Sequence, residues 1–407
     1  HRRRAGGPAV RILWVKSGGL WPLTSGGRIR SFHTIAALAR LHEVTVLTSH
    51  GDDGAAGELR RGLAGCEEVV SLRHAPGKRG SAEFATGVVR SWASRLPVDL
   101  WRWRTEALRR EVAERLAGGG YDLVVADFLT AVPNLPAPCP LPVLLFEHNV
   151  EYLIWRRLAS TAPVWQRPLI ELEWRKMRRF EGRACAAADL TVAVSEADAE
   201  LLAGLAPGAR VRPVPTGVDT DYFAPNGRVE ADGRLVFVGS MDWYPNEDAT
   251  LHLIDSILPL VRRELPRAGL TVVGRNPSPR LRAAAEAAGV TVTGMVPDVR
   301  PHVAEGAVVV VPLRVGGGTR LKIFEALAMG KAVVSTAIGA EGLPLVPGEH
   351  FVEADEPAEF AAAVVALLRD EARRRALGAA GRELVVERYS WEQAGREFAR
   401  LCEEAAA

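Results

Sequence analysis

The stretch Pro312–Lys331, PLRVGGGTRLKIFEALAMGK, reads as the end of a buried strand, a glycine-rich turn and a helix. The residues leading into it, Gly306–Val311, end in four consecutive valines, the pattern of a strand covered on both faces. Gly316, Gly317 and Gly318 let the backbone turn sharply and approach a ligand closely. Thr319 suits an N-cap, and Ile323, Phe324, Leu327 and Ala328 form an apolar helical face closed by Gly330. The helix start carries Arg320 and Lys322, although the positive end of a helix dipole favours acids. That placement is unfavourable unless an anion occupies it. It therefore points to a phosphate or diphosphate held by backbone amides and two cations. Glu325, three residues after Lys322, shares its face and suits the hydroxyls of a ribose. The alternative is a solvated helix start with a chance Lys–Glu pair.

The same strand–turn–helix unit recurs on both sides. In the first half Val10–Lys16, Glu43–Thr48, Glu67–Leu72, Tyr121–Ala126, Val143–Phe146 and Asp189–Val194 read as buried strands. Helical patterns such as Ile29–Leu41 and Thr105–Ala117 separate several of them, which predicts a doubly wound parallel sheet. The turn after the first strand holds Gly18, Gly19, Gly26 and Gly27, at the carboxyl end where open α/β sheets bind ligands. Its spacing does not match a dinucleotide fingerprint, which argues against a Rossmann oxidoreductase with a nicotinamide cofactor. Arg210–Arg228, rich in Pro and Gly, reads as a boundary. A second series follows: Leu235–Gly239, Leu270–Gly274, Val290–Gly294, Val308–Val311, Ala332–Thr336 and His350–Glu353, then helices over Glu359–Arg369, Ala372–Val386 and Trp391–Glu404.

With 407 residues, 48% hydrophobic and 25% charged, the chain has room for two or three ordinary domains and carries no run long enough to span a membrane. HRRRAGG leads into a strand and not a long apolar segment, so no secretory signal is read there. Cys66, Cys139, Cys185 and Cys402 are scattered without metal-ligand spacing and read as thiols of a reducing compartment. Net charge is +2 but uneven: up to Arg212 there are 30 Lys and Arg against 22 Asp and Glu, and acids exceed bases thereafter. Two basic stretches, Arg90–Arg115 and Trp155–Arg183, each contain three tryptophans. Such helices suit an anionic membrane surface, and the alternative is half-buried tryptophans with solvated arginines. No nucleic-acid motif accompanies the charge.

Taken together, LRVGGGTRLKIFEALAMGKAVVST with IGAEGL, KSGGLWPLTSGGRIR, FEHNVEY (Phe146–Tyr152), TGVDTDYFAP, VGSMDWYPNEDA and GMVPDVRPHV resemble the retaining glycosyltransferases of family 4, group 1. The resemblance runs from Val10 to about Phe398. It implies the GT-B fold, two Rossmann-like doubly wound domains facing across a cleft. The expected division is residues 1–213 on the acceptor side and 214–388 for the nucleotide sugar, with a last helix in 389–407 packing back on the first domain. The donor would be a UDP- or GDP-linked sugar, with no further cofactor, bound by Gly239, Ser240, Arg275, Gly316, Gly317, Gly318, Thr319, Arg320, Lys322 and Glu325, with Gly26 and Gly27 facing it. His148 would lie beside the reacting sugar, and Arg320, Lys322 and Glu325 would complete the catalytic set. The resemblance further implies same-face attack, with the departing phosphate helping to take the acceptor proton.

Two departures stand out. The family often has Arg, and six residues later Lys, after the first strand of its second domain; the matching positions are Ser240 and Asn246. It also often has Glu eight residues before the ribose-binding Glu, where this chain has Gly317. Phosphate neutralisation is accordingly assigned to Arg320 and Lys322. Asp219–Thr220–Asp221 has an Asp-x-Asp form but lies in the domain-start loop and is read as structural, so no metal is expected. Asp127 reads as an acceptor contact or a strand-end cap. The expected activity is metal-independent transfer to a glycan, lipid-linked or small-molecule acceptor, in the cytoplasm or at the inner membrane face. The rivals are a GT-B epimerase or phosphorylase, and a non-catalytic glycan-binding protein on the same fold.

Overall fold

The computed structural model describes the chain apart from residues 1–8, 24, 52, 75, 77–81, 93, 162–163 and 316–320. The chain divides into two compact units, residues 1–216 with 394–407, and residues 217–393. The first is built on strands β1 (Arg11–Lys16), β2 (Glu43–His50), β3 (Glu68–Arg73), β4 (Leu123–Asp127), β5 (Val143–Phe146), β6 (Leu190–Ala193) and β7 (Val211–Pro213). All are parallel, in the order β3-β2-β1-β4-β5-β6-β7. Parallel neighbours need crossover helices, and helices on both faces explain why Ile12–Val15 and Leu123–Ala126 are buried without alternation. The order reverses between β1 and β4, which leaves a crevice at their carboxyl ends.

The second unit repeats this plan with β8 (Arg234–Val238), β9 (Gly269–Val273), β10 (Thr291–Val292), β11 (Val308–Val311), β12 (Ala332–Ser335) and β13 (Val352–Glu353). The order is β10-β9-β8-β11-β12-β13, so its switch point lies between β8 and β11. The chain then forms helices Pro357–Arg369, Glu371–Arg388 and Trp391–Ala406. From residue 394 the last helix belongs to the first unit, where Phe398, Leu401 and Cys402 join the core of the first sheet. Phe398 lies against Trp14 and Phe146, with ring centroids 5.7 and 4.7 Å away. These aromatic contacts tie the chain end to β1 and β5.

Sequence and structure differ in three places that bear on function. The boundary stretch begins with the edge strand β7, which Val211–Pro213 can join because proline is tolerated at a sheet edge. The first crossover helix spans Gly26–Leu38, so Gly26 and Gly27 belong to its first turn and not to the preceding loop. Neither basic tryptophan stretch is one helix. Arg90–Arg115 is divided among helices Ala82–Trp92, Val98–Trp103 and Glu106–Gly118, with Pro97 capping the second and the Thr105 hydroxyl accepting from the Leu108 amide at the third. Trp155–Arg183 is divided between Glu151–Thr161 and Arg167–Ala187, where Pro168 fits only the first turn. No described helix is long and apolar enough to cross a membrane.

Candidate functional site

In the second unit, the carboxyl ends of β8 and β9 are drawn together by glycines. A Cβ on Gly274 would lie 1.7 Å from the Gly239 carbonyl oxygen, and one on Gly239 would lie 2.8 Å from the Asn246 amide group. Five polar side chains meet beside this close approach. The Lys322 ammonium donates to Asn246 Oδ1 at 2.5 Å and stands 4.5 Å from the centroid of the Phe237 ring. Asn246 Nδ2 donates to the Ser240 carbonyl at 2.9 Å, and Arg275 Nε donates to Ser240 Oγ at 2.7 Å. The Ser240 hydroxyl donates in turn to Asp242 at 2.5 Å. Lys322 and Glu325 sit on the helix Leu321–Ala328 that follows β11, and Asn246 sits on the helix Tyr244–His252 that follows β8. They therefore meet at the switch point of the sheet.

Glu325 is half-buried, and none of the described residues hydrogen-bonds its carboxyl group. Burial pushes it up to about 7 against the pull of Lys322. Gly330 ends this segment in the left-handed region, φ 71°, as its position predicted. Gly316, Gly317, Gly318, Thr319 and Arg320 lie outside the described residues. Asp219 Oδ1 accepts from the amides of Asp221 and Tyr222 at 3.2 and 2.8 Å, a turn-closing role for Asp219. Among the described residues no three His, Cys, Asp or Glu side chains are grouped to hold a metal.

In the first unit, Lys16 and Asp127 end the adjacent strands β1 and β4 in register. Lys16 Nζ is 3.2 Å from Asp127 Oδ1, Trp14 Nε1 donates to Asp127 Oδ2 at 2.9 Å, and His148 Nε2 is 2.8 Å from Asp127 Oδ1. Asp127 is fully buried, so of its two readings the strand-end structural one holds. Burial would raise its pKa, but Lys16 and His148 outweigh that and hold it at about 2. His148 ends up neutral, because burial pushes it down to about 3 despite Asp127. Its ring stacks on Phe128 at 3.8 Å between centroids, and its carbonyl accepts from Arg30. Among the described residues, buried His148 Nδ1 has no hydrogen-bond partner; it faces Gly27, whose missing Cβ would stand 3.8 Å away and 2.7 Å from Phe128. Above this network opens a cavity of about 350 Å³ lined by Lys16, Gly27, Asp99, Trp103, Phe128 and Glu151, among others.

Next to His148 at the same strand end lies an acidic residue whose buried, acidic surroundings the sequence does not display. Glu147 is 1% exposed, and neither of its carboxyl oxygens makes a full hydrogen bond among the described residues. Burial, then Glu181 and Glu151, raise its pKa well above the usual range. Glu181 accepts from the amides of Glu151 and Tyr152 at 2.7 and 2.9 Å, capping that helix, and burial holds it up at about 8. A charged residue directly after the apolar run Val143–Phe146 was the available signal. Because the unfolded chain ionises at lower pH than the folded one, these acids subtract stability as pH rises from about 4.5. Glu147→Gln is therefore expected to raise stability by about 1–2 kcal/mol at pH 8 and to change little at pH 4. Paired urea titrations at the two pH values check this, and an equal effect at both would refute it.

Residues 24–222 match the family described as Glycosyltransferase Family 4, and residues 232–370 match Glycosyl transferases group 1. A similar protein is the GDP-mannose-dependent alpha-(1-6)-phosphatidylinositol monomannoside mannosyltransferase of Mycolicibacterium smegmatis, 26% identical over 72% of this chain and 86% of that one. The phosphatidyl-myo-inositol mannosyltransferase of Mycobacterium leprae is 31% identical over 47% of this chain and about half of its own length, 52%. Among solved structures, sucrose-phosphate synthase from Thermosynechococcus elongatus superposes with a TM-score of 0.70 at 19% identity, covering 97% of this chain and 98% of that one. Anabaena HepE in complex with UDP and glucose gives a TM-score of 0.63 at 14% identity over 97% and 99%. The fold is GT-B.

Proposed function

The chain belongs to glycosyltransferase family 4, and on that premise we propose that it transfers a sugar from a nucleoside diphosphate sugar to an acceptor hydroxyl with retention and without a metal. The observation that carries the reading is the junction of Lys322, Asn246, Ser240 and Arg275 at the second switch point. It places one ammonium and one guanidinium where an open α/β sheet receives its ligand. Lys322 and Arg275, with Arg320 and the amides of Gly316–Thr319, take the diphosphate, and Glu325 takes the ribose diol. A carboxyl group held at about 7 by burial gains charge-assisted hydrogen bonds from such hydroxyls. His148, neutral and with Nδ1 unpartnered among the described residues near Gly27, is assigned to the donor sugar on the family resemblance. The bond from the anomeric carbon to phosphate breaks, the bond to the acceptor oxygen forms on the same face, and the acceptor proton passes to the leaving phosphate. Catalysis then rests on positioning and on stabilising that leaving group.

GDP-mannose is the first donor to test, because the relative matched over most of its length is named for it. The expected result is turnover with one nucleotide sugar from a panel of GDP-mannose, UDP-glucose and UDP-N-acetylglucosamine, unaffected by a chelator. Activity abolished by chelator and restored by Mn²⁺ would overturn the metal-independent reading.

A lipid-linked acceptor and an anionic membrane surface fit one part of the first unit. On helices Glu151–Thr161 and Arg167–Ala187, Ile154, Leu158, Leu169 and Leu172 are exposed, and Trp165, between the helices, is 76% exposed. Arg156, Arg157, Arg178 and Arg179 stand exposed on the same two helices. Apolar tips ringed by guanidinium groups suit a headgroup layer. Co-sedimentation with phosphatidylglycerol vesicles is expected to weaken several-fold in Trp165→Ser and to fade with salt. Binding indifferent to both would remove the membrane from the reading.

A further inference from the structure

Helix Val98–Trp103 separates two cavities. Trp103 faces the first, beside Gly18, where a Cβ would meet its ring at 3.5 Å. Trp101 and Arg102 face a second, of about 520 Å³, also lined by His74, Arg90, Arg104 and Arg109. Among the described lining residues Glu106 supplies the one carboxylate, and it is engaged by Arg109 at 3.0 Å. Arg102 lies 3.6 Å from Asp99. Arg90 and Arg104 are exposed and make no ion pair with a described residue. Three separate helices, with Arg104 in the link between two of them, thus bring four guanidinium groups to one concavity, where Asp99 and Glu106 engage Arg102 and Arg109 and leave Arg90 and Arg104 for a ligand. Like charges gathered in this way repel each other until an anion enters. Guanidinium forks match the oxygens of phosphate in particular.

The cavity is larger than a bare phosphate needs and falls in the size range of small-molecule sites, about 300–1,000 Å³. One part of its wall is the Trp101 ring, brought close because position 87 is glycine: a Cβ there would stand 3.3 Å from the ring. A flat aromatic wall suits the apolar face of a sugar or polyol ring. We propose that this cavity is a second ligand site that binds a phosphate ester of a sugar or polyol, with the phosphate on Arg90 and Arg104 and the ring against Trp101. The ester can come from a soluble sugar phosphate or from a phospholipid headgroup; the chemistry recognised is the same. The site does not depend on the transfer reaction proposed above.

The test is equilibrium binding of glucose 6-phosphate and of glucose to the full chain, with GDP present at saturation to occupy the donor site. The expected result is that glucose 6-phosphate binds at least tenfold more tightly than glucose. Arg90→Gln/Arg104→Gln should lose at least tenfold of that affinity while keeping its melting temperature and its own GDP affinity. Arg104→Lys, which keeps charge but loses the fork, should lose part of it. In a second arm, vesicles of phosphatidylcholine with phosphatidylinositol replace the sugar phosphate; binding that needs both arginines and is displaced by inorganic phosphate assigns the headgroup as the source. Equal binding of glucose and glucose 6-phosphate, affinity unchanged in the double variant, or failure of both probes overturns the proposal. Loss of GDP binding in Lys322→Ala is scored separately, so the donor reading stands or falls on its own.

Discussion

Asp127→Ala is expected to cost about 3–5 kcal/mol, the largest loss from any single substitution considered. The carboxylate is fully buried, and removing it strands three groups at once: the Lys16 ammonium, the Trp14 indole N–H and the ring of His148. Lys16 keeps only its hydrogen bond to Ser31 and its place 4.1 Å from the Phe128 ring centroid. Removing one partner of a buried pair is costly, whereas replacing both by apolar groups of similar shape is close to neutral. Lys16→Met/Asp127→Leu should therefore recover a large part of what Asp127→Ala loses. The sign with pH follows from the depressed carboxylate. Its contribution is complete above the unfolded value of about 4 and is lost as pH falls through about 2. Urea unfolding of the parent chain and these two variants at pH 7 makes the comparison. A loss under about 1 kcal/mol would mean that the group is solvated, as surface pairs are.

Why this network escaped the sequence reading is instructive. Burial on both faces makes parallel strands continuous apolar runs, so β1, β4, β5, β8 and β11 were legible within a residue or two. Short edge strands carry little of that signal, and β7, three residues ending in proline, hid inside a stretch read as a boundary. Side-chain partners depend on register and strand order, which one chain does not display. Lys16 and Asp127 each end an apolar run with a charge, and the two signs are opposite, but only the β1–β4 pairing sets them side by side. His148 stands out by its motif, while the carboxylate it meets and the Phe128 ring that buries it come from about 20 residues away, and Phe146 comes from its flank. Ser240 and Asn246 were noticed as departures. What the sequence could not show is that Asn246 holds the very ammonium group assigned to replace the missing cations. In the tryptophan-rich stretches the composition was plain, yet helix breaks at Pro97 and Pro168 decided which arginines converge on a cavity and which face solvent.

Lys322→Ala is expected to weaken UDP or GDP binding by about 1.5–3 kcal/mol, roughly 10- to 150-fold, with turnover falling alongside it. The ammonium sits over Phe237 and against Asn246 Oδ1, a neutral partner that orients it without cancelling its charge. A carboxylate in Asn246's place would do the opposite, so Asn246→Asp should also weaken the nucleotide while leaving Lys322 present. Position 246 is near enough to substitute for 322, since the two side chains meet at 2.5 Å. Lys322→Ala/Asn246→Lys returns a cation to this corner from the helix after β8, the arrangement common in the family, and should recover at least part of the lost affinity. Calorimetric titration of UDP and GDP into all four chains separates the possibilities. A purely structural Lys322 would show a lowered melting temperature, equal affinity and no rescue. An electrostatic anchor shows lost affinity, a preserved melting temperature and rescue by charge at 246, because the diphosphate responds to where positive charge stands and not to which strand delivers it.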